Sequence, residues 1–117
     1  MTILTDHAIE QLIKIEAEVH YSELPPPECN PFIVIDRKSQ IILSAPHGAI
    51  TFRNDGKEVW HDEDEYTAGI ALLLSKICGN SVIATIWRTV DSDPNQSPKE
   101  RSDYKQALEG LFTNLAL

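Results

Sequence analysis

Hydrophobic residues recur at helical spacing in the N-terminal and central parts of the chain. Residues 5–19 carry an apolar stripe on one side and acidic residues on the other, which predicts an amphipathic helix that ends before Pro25–Pro27. Apolar residues at i, i+3, i+4 and i+7 predict a second helix, with Asp64 as its capping residue. We expect this helix to end at Gly79, because glycine suits the position just past a helix.

A third apolar stripe lies near the end of the sequence. Ser97–Glu100 has the spacing of a capping box with proline at the first helical position, which predicts that a last helix begins there. The stripe must pack on something, so either a small sheet is enough or a second copy of the chain covers it. Its members are Tyr104, Ala107, Leu108, Leu111, Phe112 and Leu115.

Short runs rich in β-branched and aliphatic residues predict strands. Phe32–Ile35 and Gln40–Ala45 predict two strands, and the polar link between them is short enough for a hairpin. Ser81–Trp87 is apolar on both alternating faces, as expected for a strand covered on both sides. Residues 50–60 contain a turn signal and predict either a small hairpin or an ordered loop. Residues 89–97 are rich in turn formers and predict a loop.

The order of these elements predicts an α/β fold. Strand, helix and strand joined by short links indicate a right-handed βαβ crossover over residues 40–88. We therefore expect a small mixed or mostly parallel sheet with flanking helices, a phosphorylase/hydrolase-like half-fold. The chain has 117 residues, 42% of them hydrophobic, and this length fits a single domain spanning 1–117.

Charge and targeting signals narrow the classes of partner. The formal net charge of −8 opposes binding to a phosphate backbone or an anionic bilayer, so neither nucleic acid nor membrane is expected as a partner. No apolar run approaches the roughly 18 residues of a spanning helix, and no leader is recognisable, which predicts a cytoplasmic protein. Cys29 and Cys78 lack a CxxC spacing and predict neither a disulfide framework nor a thiolate zinc site.

Polar residues that can carry chemistry follow the predicted parallel strands. His47 comes directly after strand 40–45, and Arg88 follows strand 81–87, so both are expected at the carboxyl-end edge of the sheet. The acidic run 61–65 precedes the central helix and lies near the same edge. His47 and one of these acids form a partial shell for zinc, which in catalytic sites takes three protein ligands plus water. A loop histidine and acids that favour the positive end of a helix are the alternative interpretation.

Several of these residues occur in an order that resembles the N-formylglutamate amidohydrolase family. The similarity covers about residues 40 to 110. It implies a core like that of zinc carboxypeptidases, with a metal at the edge of the sheet where activated water cleaves an amide or formamide bond. The matching segments, in chain order, are Ile41–Gly48 with its Pro-His-Gly, Asp64–Thr67, Gly79 with the strand to Arg88, Asp93–Asn95 and Tyr104–Leu108.

The resemblance also implies roles for individual residues. His47 would be the first zinc ligand, and Asp64 fits the acidic position of the family's DxxT motif, with Glu63 and Glu65 as alternatives. Arg88 would bind a substrate carboxylate, for which a guanidinium fork is suited. Asn95 would be a second substrate contact, although it is followed by Gln96 where some family members have arginine.

The family's distal Asp-x-His-Gly type motif, which supplies a further histidine ligand, is absent from the sequence. We therefore expect a shortened relative that is catalytically impaired, as a homodimer or as one half of a split protein. The alternative is a zinc-dependent amidohydrolase for an N-acyl or N-formyl acidic amino acid, its metal site completed by another chain or by a local histidine. The local candidates are His61, His7 and His20. An unrelated small α/β domain is the third hypothesis.

Overall fold

The computed structural model describes residues 2–54, 58–92 and 102–113, and its elements confirm the coarse α/β class. None of the helices within these ranges has the length and apolar character needed to cross a membrane. In chain order the elements are α1 (Thr2–Glu16), β1 (Phe32–Ile35), β2 (Ile42–Ala45), β3 (Thr51–Asn54), β4 (Glu58–His61), α2 (Thr67–Cys78), β5 (Ser81–Thr85), β6 (Thr89–Ser92) and α3 (Asp103–Thr113).

The main sheet is mixed and has the strand order β1-β5-β2. β2 and β5 are parallel neighbours with α2 between them in sequence, which confirms the crossover predicted over 40–88. Both predicted strands form, but they are not hairpin partners, because β5 lies between them and pairs antiparallel with β1. All residues of β5 are buried, and a central position covers both of its apolar faces. Arg37 donates its backbone N–H to Ser81 Oγ at 3.0 Å, so the link from β1 to β2 passes the start of β5.

A second, smaller sheet has the order β4-β3-β6. β3 and β4 are antiparallel, so the hairpin alternative for residues 50–60 is correct, with 55–57 outside the described ranges. The loop predicted for 89–97 is wrong in its first part, because β6 pairs parallel with β3. Thr89 donates its N–H to the Ile50 carbonyl at 3.1 Å, and this tertiary pairing outweighs the turn propensity of the segment. Residues 93–97 lie outside the described part.

Two apolar clusters cover the two faces of the main sheet. One joins α2 and the residues after α1 to the sheet and is built from small side chains, which allow a close approach: Val19, Ala45, Ala68, Ala71, Val82 and Ala84. On the other face Tyr104 and Leu111 of α3 pack against Ile83. Part of the predicted C-terminal stripe is thus covered by the chain's own sheet, whereas Phe112 is exposed and Leu115 is outside the described residues. The homodimer stays a prediction. The buried members of the stripe are covered within the chain and do not require a second copy.

Some helix ends lie where the sequence predicts them and others do not. α1 ends at Glu16, before Pro25–Pro27 as predicted, whereas α2 begins at Thr67, so Asp64 is not its capping residue. Gly79 ends α2 as predicted, with φ 77° and its N–H donated to Ser75 O. α3 begins at Asp103, because Ser102 Oγ accepts the N–H of Lys105 at 3.1 Å. The capping box predicted at Ser97–Glu100 lies outside the described residues and does not start this helix.

Candidate metal centre

His47 lies at the carboxyl-end edge of the main sheet, directly after β2. Its side chain is buried, with 8% of its surface exposed. The chain turns here against the end of β5, because a Cβ on Gly48 would lie 2.3 Å from Thr85 O and 2.7 Å from the Ala68 Cβ. Only glycine permits so close an approach. The tight turn therefore holds His47 against the sheet and aims it along the edge.

Asp64 is held next to His47 by backbone hydrogen bonds. Its N–H donates to His47 O at 2.7 Å, and its carbonyl accepts from Thr67 N at 3.2 Å and from Thr67 Oγ1 at 2.8 Å. The carboxylate Oδ2 lies 3.7 Å from His47 Nδ1. The Asp64 side chain is 55% exposed, so solvent and small solutes reach this side of the pair. Asp64 thus contributes a reachable carboxylate on a fixed backbone.

His61 reaches the same place from the second sheet. It ends β4, and its ring stacks on that of His47 with centroids 4.0 Å apart and an interplanar angle of 22°. His61 Nδ1 lies 2.6 Å from the carbonyl oxygen of Asp62. A carbonyl oxygen only accepts, so Nδ1 is the donor, and in the neutral imidazole Nε2 is then the nitrogen with the lone pair. Such a backbone partner is how metal-ligating histidines are commonly held in one tautomer and orientation.

Together these residues form a group that could hold a metal ion. One ligand atom each from His47, His61 and Asp64 lies within 4.8 Å of the others. Ligand atoms around one tetrahedral zinc ion at 2.0–2.1 Å are roughly 3.4 Å apart, so small rotations of the side chains would close the shell. The rings also have to tilt out of their stack, since the lone pair of an imidazole lies in the ring plane. Two nitrogens and one carboxylate oxygen are a donor set that fits zinc.

Only some of the predicted ligands belong to this group. The group contains His47 and Asp64 but neither Glu63 nor Glu65, which are half-buried and exposed respectively. Its third member is His61, which the sequence offered only as one of several local histidines. No sequence signal singles it out from His7 and His20, because its contact with His47 comes from the packing of the hairpin on the main sheet. All three members of the group belong to one chain.

The other local histidines serve elsewhere. His7 shares a 2.8 Å hydrogen bond with Gln11 on the exposed side of α1. His20 stacks on the ring of Trp87, with centroids 3.7 Å apart and an interplanar angle of 7°. Neither belongs to the group at the sheet edge.

Arg88, the predicted partner of a substrate carboxylate, stacks on Trp60. Its guanidinium carbon lies 4.3 Å from the centre of that ring. The Nε atom is buried and has no hydrogen-bond partner among the described residues. Trp60 and His61 are consecutive in β4, and consecutive side chains of a strand point to opposite faces, so Arg88, which stacks on Trp60, and His61 lie on different faces of the hairpin. Asn95, the other predicted substrate contact, lies outside the described ranges.

Arg88 also lines a cleft of about 350 Å³ between the proline-rich segment and the start of α3. The cleft walls include Asn30, Thr89 and Asp103. His47 and Arg88 follow neighbouring parallel strands, so both lie at the carboxyl-end edge of the main sheet, but Arg88 is not a member of the metal-ligand group.

Comparison with protein-family models, with curated proteins and with solved structures finds no match for this chain. The resemblance to the N-formylglutamate amidohydrolases therefore rests on the residues and their order alone.

Proposed function

We propose that this chain is a zinc-dependent amidohydrolase for a small N-acyl or N-formyl acidic amino acid. The observation that carries the proposal is the convergence of His47, from the turn after β2, with His61 and Asp64, from the end of β4 and its link to α2. The catalytic zinc sites of many hydrolases have the same composition of three protein ligands and one open position. The family resemblance supports the choice of an amide substrate, because it concerns the segments that carry His47 and Asp64.

Zinc bound there would supply a water of lowered pKa and a positive charge that polarises the amide carbonyl. The hydrogen bonds and burial of the ligand residues already favour metal binding. His61 is held in the tautomer with a free Nε2 by the Asp62 carbonyl. Burial of His47 limits competing water on one side, while the exposed Asp64 carboxylate leaves the other side open to a substrate.

The hydrolysis proposal does not depend on Arg88. The resemblance makes Arg88 the partner of a substrate carboxylate, and its unpartnered Nε supports an anion contact. Because Arg88 lies on the other face of the hairpin from His61, one small substrate would have to extend around the hairpin edge to reach both. We therefore keep the Arg88 contact as a separate prediction.

A catalytically impaired relative is the second candidate function. In the described part of the chain, every histidine and acid of the group is used as a ligand, which leaves no further member of that group to move a proton. General acid–base catalysis contributes roughly 10²–10⁴-fold to the rate of a reaction. A chain without a general acid or base would therefore bind metal but hydrolyse its substrate slowly.

Hydrolysis assays on zinc-loaded full-length protein separate these candidates. N-formyl-L-glutamate and N-acetyl-L-glutamate serve as substrates, and release of free glutamate is measured. We expect turnover by the wild type and none by Asp64→Asn, with His7→Ala as a matched control that keeps activity. Turnover that persists in Asp64→Asn would contradict the proposed centre, whereas zinc binding without turnover would favour the impaired relative.

A further inference from the structure

Glu16, the last residue of α1, has a buried carboxylate with several donors. Only 5% of its surface is exposed. Oε2 accepts the backbone N–H of Tyr66 at 3.0 Å, and Oε1 accepts that of Gly69 at 3.1 Å. The Tyr21 hydroxyl also donates to Oε2. A buried carboxylate is costly unless such partners surround it, so this arrangement is specific to an acid at position 16.

The backbone donors bound by Glu16 belong to the first turn of α2. The N–H groups at the start of a helix have no partner within the helix, and the positive end of the helix dipole favours an anion there. Tyr66, which stands at the capping position, has φ 68° and makes no capping hydrogen bond with its side chain. Glu16 therefore caps α2 from another helix.

The Glu16 carboxylate lies close to the backbone of α2 at Gly69. A Cβ at Gly69 would lie 2.5 Å from Glu16 Oε1, so glycine is what lets the carboxylate reach the helix. Burial and the hydrogen bond to the Glu16 carboxylate raise the pKa of Tyr21 above its usual range. The phenol accordingly stays protonated and donates to the carboxylate.

The residues bound by Glu16 flank the one that fixes Asp64. Thr67, which lies between Tyr66 and Gly69 in sequence, donates both its N–H and its hydroxyl to the Asp64 carbonyl. Tyr21 extends the connection to the other ligand segment, because its carbonyl accepts the N–H of Ile50 at 2.9 Å. Ile50 follows the tight turn at His47. A single buried acid is thus linked to the backbone of both ligand segments.

We propose that Glu16 is a positioning residue for the metal centre, which holds the turn before α2 so that the Asp64 carboxylate meets His47. Tyr21 orients the Glu16 carboxylate and shares in this role. The inference rests on the proposed metal site and adds to it a residue that touches neither the metal nor a substrate.

Glu16→Gln in the full-length chain tests this role. The amide keeps the shape but presents an NH₂ group to a backbone donor, so one of the two backbone bonds is lost. Loss of the partners that orient metal ligands typically lowers metal affinity about 10- to 100-fold, and we expect a decrease in zinc affinity in that range. Glu10→Gln and Glu18→Gln change exposed acids of the same region and serve as matched controls, with affinities within about two-fold of the wild type.

The absorption spectrum of the cobalt-substituted protein reports on ligand geometry and would shift in Glu16→Gln. Purely structural capping by Glu16 predicts a lower denaturation midpoint with unchanged zinc affinity and an unchanged cobalt spectrum. That result would overturn the inference. Tyr21→Phe retains the Glu16 carboxylate and should give a smaller decrease in affinity, which keeps the test decisive if Glu16→Gln folds poorly.

Amide hydrogen exchange in the metal-free protein tests the inference even if the wild type binds no zinc. We expect faster exchange of the Asp64 and Thr67 amides in Glu16→Gln, at temperatures where the chain is folded, and no change in Glu10→Gln. Equal protection in the wild type and Glu16→Gln would overturn the positioning role. Absence of zinc binding by the wild type would instead overturn the proposed function, so the two failures are distinguishable.

Discussion

The two sheets of this molecule differ in burial and in the residues that they contribute to the metal group. In the β1-β5-β2 sheet the central strand is buried along its whole length, and helices pack on both faces. In the β4-β3-β6 sheet the described side chains of β4 are partly exposed, and they include His61 of the metal group and Trp60 beneath Arg88. The comparison shows that the sheet with the buried central strand supplies the edge that carries His47, and that the more exposed β4 brings His61 to it.

The largest expected effect comes from the centre of the main sheet. Ile83 is fully buried in β5 against α3, and Ile83→Ala should lower the free energy of unfolding by about 2–5 kcal/mol through lost burial and a cavity. Urea denaturation followed by circular dichroism measures this. Ile41→Ala, at a position 64% exposed, is the matched control and should change it by less than about 0.5 kcal/mol. Equal effects at the two positions would contradict the burial of the central strand in the main sheet.

Gly48 tests the junction between the sheet edge and the metal group. Gly48→Ala places a methyl group against Thr85 O and Ala68, so we expect destabilisation of about 1–3 kcal/mol by overpacking. Gly110→Ala is the matched control, because nothing lies within 4 Å of its Cβ position in α3. That change should be neutral or stabilising by up to about 1 kcal/mol. A Gly48→Ala protein as stable as the wild type would mean that the turn at His47 is not tight.

Tyr104 tests how α3 is fixed to the main sheet. Its hydroxyl donates to Ile83 O at 3.0 Å and shares a 2.7 Å hydrogen bond with Ser44 Oγ. Tyr104→Phe leaves the ring in place and should cost about 1 kcal/mol of unfolding free energy in chemical denaturation at neutral pH. A change near zero would show that the ring alone anchors the helix.

Alkaline pH gives a second readout at the same residue. Burial raises the pKa of Tyr104, so the folded chain holds this proton more tightly than the unfolded chain, whose tyrosines titrate near about 10. The stabilisation is full below that pH and is lost as the pH rises further. Tyr104→Phe should therefore flatten the decline in stability above about pH 10, and Tyr21, whose pKa is also raised, keeps part of it. An unchanged slope would contradict this account.

The smallest expected effect tests whether Arg88 and His61 act independently on the two faces of the hairpin. Arg88→Gln removes a cation that stacks on Trp60, and such contacts contribute about 0.5–1 kcal/mol. Because Arg88 lies on the opposite face from His61, we expect zinc affinity within about two-fold of the wild type. Titration with zinc measures this. A large loss of zinc affinity in Arg88→Gln would show that the arginine cleft and the metal group are one site.

Parts of this structure could be predicted because they depend on local pattern. The apolar run at Ser81–Thr85 predicts a covered strand, and the crossover then places His47 at the carboxyl-end edge. Strand order could not be predicted, because the short link after Ile35 fits a hairpin equally well and only the buried β5 excludes one. His61 was no more than one histidine among several, because its proximity to His47 depends on how the hairpin packs.

The cap of α2 shows the same limit. Asp64 has the right spacing for a local cap, but the anion that binds the helix start comes from Glu16, 53 residues before Gly69 in the chain. No local pattern records such a contact. The sequence pattern therefore predicts the three helices, the strands of the main sheet and the place of His47, whereas β6, the third ligand and the cap of α2 arise from tertiary packing.

Metal content is the measurement that tests the central claim most directly. The chelator-treated full-length chain is incubated with zinc, freed of unbound ion and analysed for zinc per chain by elemental mass spectrometry. We expect close to one zinc ion per wild-type and per His7→Ala chain, and little in His47→Ala or His61→Ala with the fold retained by circular dichroism. Equal zinc content in the wild type and His61→Ala would contradict a centre formed by His47, His61 and Asp64.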